Sequence, residues 1–291
     1  MNVFTQALSN GTLLFVGAVL TAVAAALLIA SPELKQVLRY TRHGLVLGSL
    51  LMLLSGAPLH PLIYLMFLAA AVAAIIAMRC DTMKPVRRRW CGAVALIAAL
   101  GMILMETPWQ LNPQLPDGNV TRVVVIGDSI SAGLADNERT WPVLLAEARP
   151  QWNVVNLAQA GAQLADALHQ ADNIPDGPCI VVLEIGGNDM LNLNGAKRFA
   201  DDLDRLLQKV CTPDRRVVML ELPSAPLMSE YVRAQRRLSR RYGVHLLPRR
   251  IFCAVLAASN STTDGLHLSA KGHAAISRWI SRTIEPAMLL E

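Results

Sequence analysis

Thr121-Arg-Val-Val-Val-Ile-Gly-Asp-Ser-Ile-Ser131 decides how this chain is read. Four β-branched apolar residues in succession, Val123 to Ile126, fit a strand buried on both faces, as in a parallel sheet. They run into Gly127-Asp128-Ser129, where glycine permits a sharp turn. Asp and Ser side chains there can accept from the first N–H groups of a helix. A serine so placed lies at the C-terminal end of a strand, the edge at which open α/β sheets hold their ligands. In isolation the stretch reads equally well as a turn with a helix cap. Its context separates the two readings.

The strand opens a regular series. Apolar strand candidates at 121–126, 152–156, 179–185, 216–221 and 243–247 alternate with helical stretches near 139–148, 161–172, 196–211, 228–241 and 269–284. That alternation predicts an α/β domain over residues 121–291: three α/β/α layers, flavodoxin-like, with a mostly parallel five-stranded sheet. Parallel strands send their C-terminal ends to one edge. Polar residues cluster at those ends. Strand two leads from Asn156 to Gly161, strand three ends in Gly186-Gly187-Asn188-Asp189, and Thr263-Asp264-Gly265-Leu266-His267 precedes the last helix. Ser129, Gly161 and Asn188 should therefore converge.

These residue types suit acyl transfer. A serine hydroxyl is a weak nucleophile until a base takes its proton. His267 is the candidate base, and Asp264, three residues earlier, can accept from its Nδ1–H and fix the tautomer. An oxyanion needs donors, and the backbone N–H groups of Ser129 and Gly161 with the Asn188 side-chain amide would supply three. Each segment also has a plainer reading as a turn or cap. The joint occurrence, in order and at corresponding strand ends, favours the chemical one. His273 is expected to be structural or exposed, and His43, His60, His169 and His245 fall outside the constellation.

The N-terminal third is of another kind. The chain is 53% hydrophobic and only 17% charged, too apolar for an ordinary soluble protein. Thr12–Ala30 is almost wholly apolar, and residues 43–78 carry no Lys, Arg, Asp or Glu, with Gly56-Ala57-Pro58 and Pro61 breaking that run. The expectation is an all-α bundle of about four transmembrane helices (about 12–30, 44–57, 61–78 and 90–105) within a module spanning 1–105. A proline-rich linker follows over 106–120. Segments 31–43 and 79–90 hold eight Lys or Arg against Glu33 and Asp81, a net +6 that exceeds the +5 of the whole chain. The basic balance therefore belongs to loops, and nucleic acid is rejected as a partner. By the positive-inside rule both basic loops lie in the cytoplasm and everything after Met105 lies outside. A re-entrant hairpin in place of two spans would reverse that. The module is expected to act as a plain anchor.

The four blocks together resemble the SGNH (GDSL) hydrolase family, named for its Ser, Gly, Asn and His. Gly127-Asp128-Ser129-Ile130-Ser131 matches the first block and Asn156 to Gly161 the second. Gly186-Gly187-Asn188-Asp189 matches the third and Asp264-Gly265-Leu266-His267 the last. Val124 to Trp141 and Leu183-Glu-Ile-Gly-Gly-Asn-Asp189 are most similar to bacterial periplasmic lysophospholipase/arylesterase/thioesterase proteins, which usually lack a multi-span anchor. Leu268 stands where the family often has proline.

The resemblance implies a two-step esterase with Ser129, His267 and Asp264 as its triad and no metal or organic cofactor. Its setting would be the outer side of a bacterial inner membrane, and its partners an acyl ester (lipid or acylated glycan) and membrane lipids. An O-acetyl esterase or acetyltransferase of envelope polysaccharide is the alternative, and a non-catalytic envelope scaffold a third.

Met190, Leu191, Leu193 and the stretch 222–228 follow strand ends and can line an acyl pocket or simply pack on the core. Arg233, Arg236, Arg237, Arg240, Arg241, Arg249 and Arg250 form either a solvated helix face or a surface for anionic headgroups. Cys179, Cys211 and Cys253 fall in a compartment expected to be oxidising, and a Cys179–Cys211 disulfide is a hypothesis.

Overall fold

In the computed structural model, which describes residues 3–135, 137–224 and 228–289, the chain divides into two compact units. One is chiefly Ala7–Gln110 and the other runs chiefly from Leu111 onward.

The first unit is helical. A short helix α1 (Val3–Ser9) precedes four long ones, α2 (Thr12–Ala30), α3 (Lys35–Leu54), α4 (Pro61–Arg79) and α5 (Pro85–Glu106). Prolines sit in the first turns of α4 and α5, where the missing N–H costs nothing. Among the described residues, three helices, Thr12–Ala30, Pro61–Arg79 and Pro85–Gln110, are long and apolar enough to cross a membrane. The expected second span is the exception. Helix α3 begins at Lys35, takes Arg39 and Arg42 into its first turns, and is free of acidic and basic residues only from His43. Charge marked a boundary in the sequence that helix propensity ignored, since Lys and Arg are good helix formers. Small residues bring α2 and α3 together: a Cβ on Gly17 would sit 2.5 Å from the Gly48 carbonyl oxygen, and one on Gly48 2.6 Å from that of Gly17. The buried Arg88 guanidinium donates to the carbonyls of Pro32, Ala77 and Cys80, closing one end of the bundle.

The second unit is a five-stranded parallel sheet in the order β2-β1-β3-β4-β5. The strands are β1 (Val123–Gly127), β2 (Val154–Asn156), β3 (Cys179–Glu184), β4 (Arg215–Leu220) and β5 (His245–Leu247). All four pairings are parallel. Helices α6 (Ser129–Ala132), α7 (Trp141–Ala148), α8 (Leu164–Gln170), α9 (Gly187–Leu191), α10 (Ala196–Val210), α11 (Ser229–Tyr242), α12 (Arg249–Ala257) and α13 (Ala270–Ile284) fill the connections. Val123, Val125, Ile180 and Val182 pack with Trp141, Leu145, Phe252, Ile276 and Ile280, the side chains of α7, α12 and α13. The alternate residues Val124, Ile126, Val181 and Leu183 are equally buried and face the other layer, as a period of two requires. This is the flavodoxin-like architecture.

Some expectations need correction. Residues 111–120 are no free linker: Leu115 is buried in the core, and Arg216 donates to the carbonyls of Pro116 and Asp117. Cys179 and Cys211 are both free. Cys179 opens β3 with Arg215 as its neighbour on β4, so the expected pairing does not form. Burial pushes the Cys211 thiol up to about 11 and Cys253 to about 12. The arginines of α11 and α12 are also more than a solvated face. Arg236 is buried against Glu221 at 2.5 Å, Arg233 pairs with Glu230, Arg241 with Asp204, and Arg249 is fully buried.

Candidate active site

The turn that follows β1 is held from several directions. In register, Gly127 lies beside Glu184 of β3, and the Asp128 N–H donates to the Glu184 carbonyl at 3.2 Å. Strand β2 pairs only as far as Val125, and beyond it the Gln159 N–H reaches the Gly127 carbonyl at 3.1 Å. The Gln170 carboxamide adds two bonds, accepting from the Gly127 N–H and donating to its carbonyl, both at 3.0 Å. A Cβ on Gly127 would come within 2.8 Å of Ser131 Oγ and 2.9 Å of the Glu184 carbonyl oxygen, so glycine is required by close approach.

Asp128 caps α6, its Oδ1 accepting from the Ile130 N–H at 3.0 Å. Ser129 is the first helical residue and is half-buried. A four-residue helix has no stability of its own, and Ser131 supplies much of what holds it. Its Oγ donates to Glu184 Oε2 at 2.8 Å and accepts from the Trp141 indole at 3.0 Å, while its carbonyl accepts from Asn156 Nδ2 at 3.0 Å.

The second and third blocks lock to this turn. Gly161 is exposed, in the left-handed region at φ 77°, and a Cβ there would meet nothing within 4 Å. Asn188, in the first turn of α9, donates from Nδ2 to the Ala162 carbonyl at 2.9 Å and lies 3.5 Å from Asp128 Oδ2. The latter is long for a hydrogen bond. Asp189 is buried and accepts from the Leu164 N–H at 3.0 Å, tying the third block to the start of α8. Gly186 takes φ 101° at the α9 cap with Phe199 against it, a site closed to any larger residue.

The last block is a self-contained loop. The Thr263 N–H donates to the His267 carbonyl at 2.9 Å. Asp264 Oδ1 accepts from the N–H groups of Leu266 and His267 at 2.9 and 2.8 Å, and its Oδ2 lies 2.6 Å from His267 Nδ1. The bond from His267 and those two N–H groups hold the Asp264 carboxyl well below the usual carboxylate range. The charge of the imidazole favours the Asp128 carboxylate on the β1–α6 turn.

Buried beneath that edge are three carboxyls shifted the other way. Desolvation raises Asp128 to about 6, against the Ile130 N–H, a bond from Glu184 and the charge of His267. Glu184 is pushed well above the ordinary range by burial and then by Asp128. Asp189 is raised chiefly by burial.

Sequence reasoning assigned no role to Glu184, Ser131, Gln170 or Trp141. The available signal was a lone acidic residue closing an apolar strand. His273 is structural: Nδ1 accepts from the Trp141 N–H at 3.2 Å and Nε2 bonds Glu138 at 3.0 Å. Of the acyl-pocket candidates, Met190 and Leu222 are buried, Leu191 and Leu193 are exposed, and Ala225, Pro226 and Leu227 lie outside the described residues. Among the described residues, no cluster of three His, Cys, Asp or Glu could hold a metal.

Strand–turn–helix at β1, the locked second and third blocks and the Asp–His loop define a GDSL-type hydrolase domain. Residues 125–275 match the GDSL-like lipase/acylhydrolase family, and the chain belongs to it. It is 31% identical over 111 residues to the esterase TesA of Pseudomonas aeruginosa, a match covering 36% of this chain and 55% of that protein. It is 23% identical over 175 residues to the arylesterase of Vibrio mimicus, covering 56% of this chain and 88% of that one. The fold is also that of esterase EstA from Pseudoalteromonas sp., solved in a form inhibited by monoethylphosphonate. That structure has a TM-score of 0.50 and 22% identity, covering 57% of this chain and 97% of the other. The first of these matches spans about half the length of the relative.

Proposed function

We propose that the protein is a membrane-tethered serine esterase working outside the cytoplasm by an acyl-enzyme route. Ser129 Oγ attacks the ester carbonyl while His267 takes its proton. The tetrahedral oxyanion rests on the Ser129 and Gly161 N–H groups and the Asn188 amide proton that Ala162 does not engage. Collapse expels the alcohol, protonated by His267, and leaves an acyl-Ser129 ester. Water, deprotonated by His267, then releases the acid and restores the serine. Asp264 keeps Nδ1 protonated and stabilises the imidazolium. No metal or organic cofactor enters the scheme.

The observation that carries this reading is the 2.6 Å contact between Asp264 Oδ2 and His267 Nδ1. Exposed Leu134, Leu191, Leu193 and Leu266 lie within a few residues of Ser129, Asn188 and His267 and favour an acyl chain longer than acetyl. The side of the membrane follows from charge. Helix α3 is uncharged from His43 to Leu54, about 18 Å at 1.5 Å per residue, and with the uncharged residues up to Pro61 it would make a short span. Were it not to cross, the basic segments 31–43 and 79–90 would fall on opposite faces. With four crossings both face the cytoplasm, as the positive-inside rule prefers.

Fluorophosphonate labelling in intact and permeabilised cells tests both parts. Labelling that Ser129→Ala abolishes, and that needs only the outer barrier opened, is expected. No labelling sinks the esterase, and labelling only after the inner membrane is breached overturns the orientation. A chain-length series of model esters with turnover on acetyl alone would replace a lipid-type substrate with an O-acetylated glycan.

A further inference from the structure

Glu184 closes β3, a strand whose other five residues are apolar or cysteine, and it is 4% exposed. Its carboxyl meets two groups on the neighbouring turn. Ser131 Oγ donates to Oε2 at 2.8 Å, and the Asp128 carboxyl lies in hydrogen-bonding contact. Those two residues flank Ser129 in sequence, one as the cap of α6 and the other as its third residue.

We propose that Glu184 is a positioning residue of the ester-cleaving site: one buried side chain grips α6 at its cap and at its third residue, and so fixes where the Ser129 hydroxyl points. The inference rests on Ser129 being the nucleophile. Two carboxyls in contact within the protein need a proton between them, because two adjacent buried charges repel strongly. The bond between the two carboxyls raises Glu184 and lowers Asp128, the directions set when Glu184 is the acid that donates and Asp128 the carboxylate that accepts. The groups facing this pair come from four elements. They are Ser131 on α6, the Trp141 indole of α7 through Ser131, Asp189 of α9, and His267 in the loop before α13. Asp128 Oδ2 also lies 3.5 Å from Asn188 Nδ2, so the carboxyl that Glu184 holds borders an oxyanion donor as well.

The test uses the full chain in detergent, with saturation kinetics on a short-chain p-nitrophenyl ester at neutral pH. Glu184→Gln keeps both contacts, its amide oxygen accepting from Ser131 and its amide nitrogen donating to Asp128. It should keep kcat within about threefold, whereas Glu184→Leu, similar in size but unable to bond, should lower kcat about thirtyfold or more at unchanged KM. A Leu variant no worse than the Gln variant, or a loss that lies in KM, overturns the proposal. If Glu184→Leu shows no cooperative thermal transition, Ser131→Ala decides. Removing one of the two grips should lower kcat about fivefold, and unchanged kcat overturns the inference. Ser129→Ala run alongside separates the two levels. If it turns over like wild type, the nucleophile assignment falls. If it is dead while the Glu184 and Ser131 variants match wild type, only the positioning role falls.

Discussion

Asp264 and Asp128 stand at the same edge of the sheet in opposite surroundings. Asp264 is 52% exposed, takes three hydrogen bonds from one short loop and is held low, so it stays ionised below the pH at which an ordinary carboxyl takes up its proton. Asp128 is 4% exposed beside a second buried carboxyl and is raised to about 6. One carboxylate is made by local donors and the other by desolvation that donors only partly offset. The first gives a fixed negative charge for an imidazole, and the second a rigid, proton-sharing support for a turn.

The largest expected effect breaks the exposed half. Asp264→Asn keeps an oxygen for the two backbone N–H groups but offers Nδ1 the wrong partner. Turnover should fall about a thousand- to ten-thousandfold in a protein that still unfolds cooperatively. A variant within tenfold of wild type would remove Asp264 from the triad. Asn188→Ala comes next, since losing one oxyanion donor typically costs about a hundredfold or more in kcat. A loss confined to KM would mean that Asn188 only holds the second block in place.

The buried half is read through stability. Asp128 binds its proton more tightly folded than unfolded. The stabilisation from protonating it is therefore complete below about pH 4 and lost as pH rises through about 6. The span from 3.8 to about 6 corresponds to something on the order of 3 kcal/mol. Asp128→Asn should flatten unfolding midpoints between pH 4 and 7, and an unaltered slope would assign the titration elsewhere. Asp264 has the opposite sign, its contribution present above the ordinary carboxylate value and lost as pH falls. Gly161→Ala should matter least. A Cβ meets open space, so the cost is the left-handed backbone, roughly 1 kcal/mol, with activity down only severalfold because the N–H remains. Inactivation would show that substrate needs the room.

The local parts of this site were legible because their physics is local. Asp264 and His267 are three residues apart and make their own loop, and Gly127-Asp128-Ser129 announces a strand–turn–helix by residue type. Glu184 was not legible in the same way. Its partners, Asp128 and Ser131, lie more than fifty residues away, and nothing in Leu183-Glu-Ile says which face of the strand the carboxyl takes. Helix α3 misled for a related reason: charge marks where a chain leaves an apolar phase, while hydrogen bonding decides where a helix starts.

By itself the sequence determined the alternation of strand and helix, the apolar character of the N-terminal third and the four blocks at strand ends, since periodicity and turn chemistry act over a few residues. Only the tertiary structure decided that Cys179 and Cys211 stay apart, that Arg236 and Arg249 are buried, and that Glu184 meets Asp128. Those outcomes depend on strand order and register, which are set by how whole layers pack and are written in no single stretch of the chain.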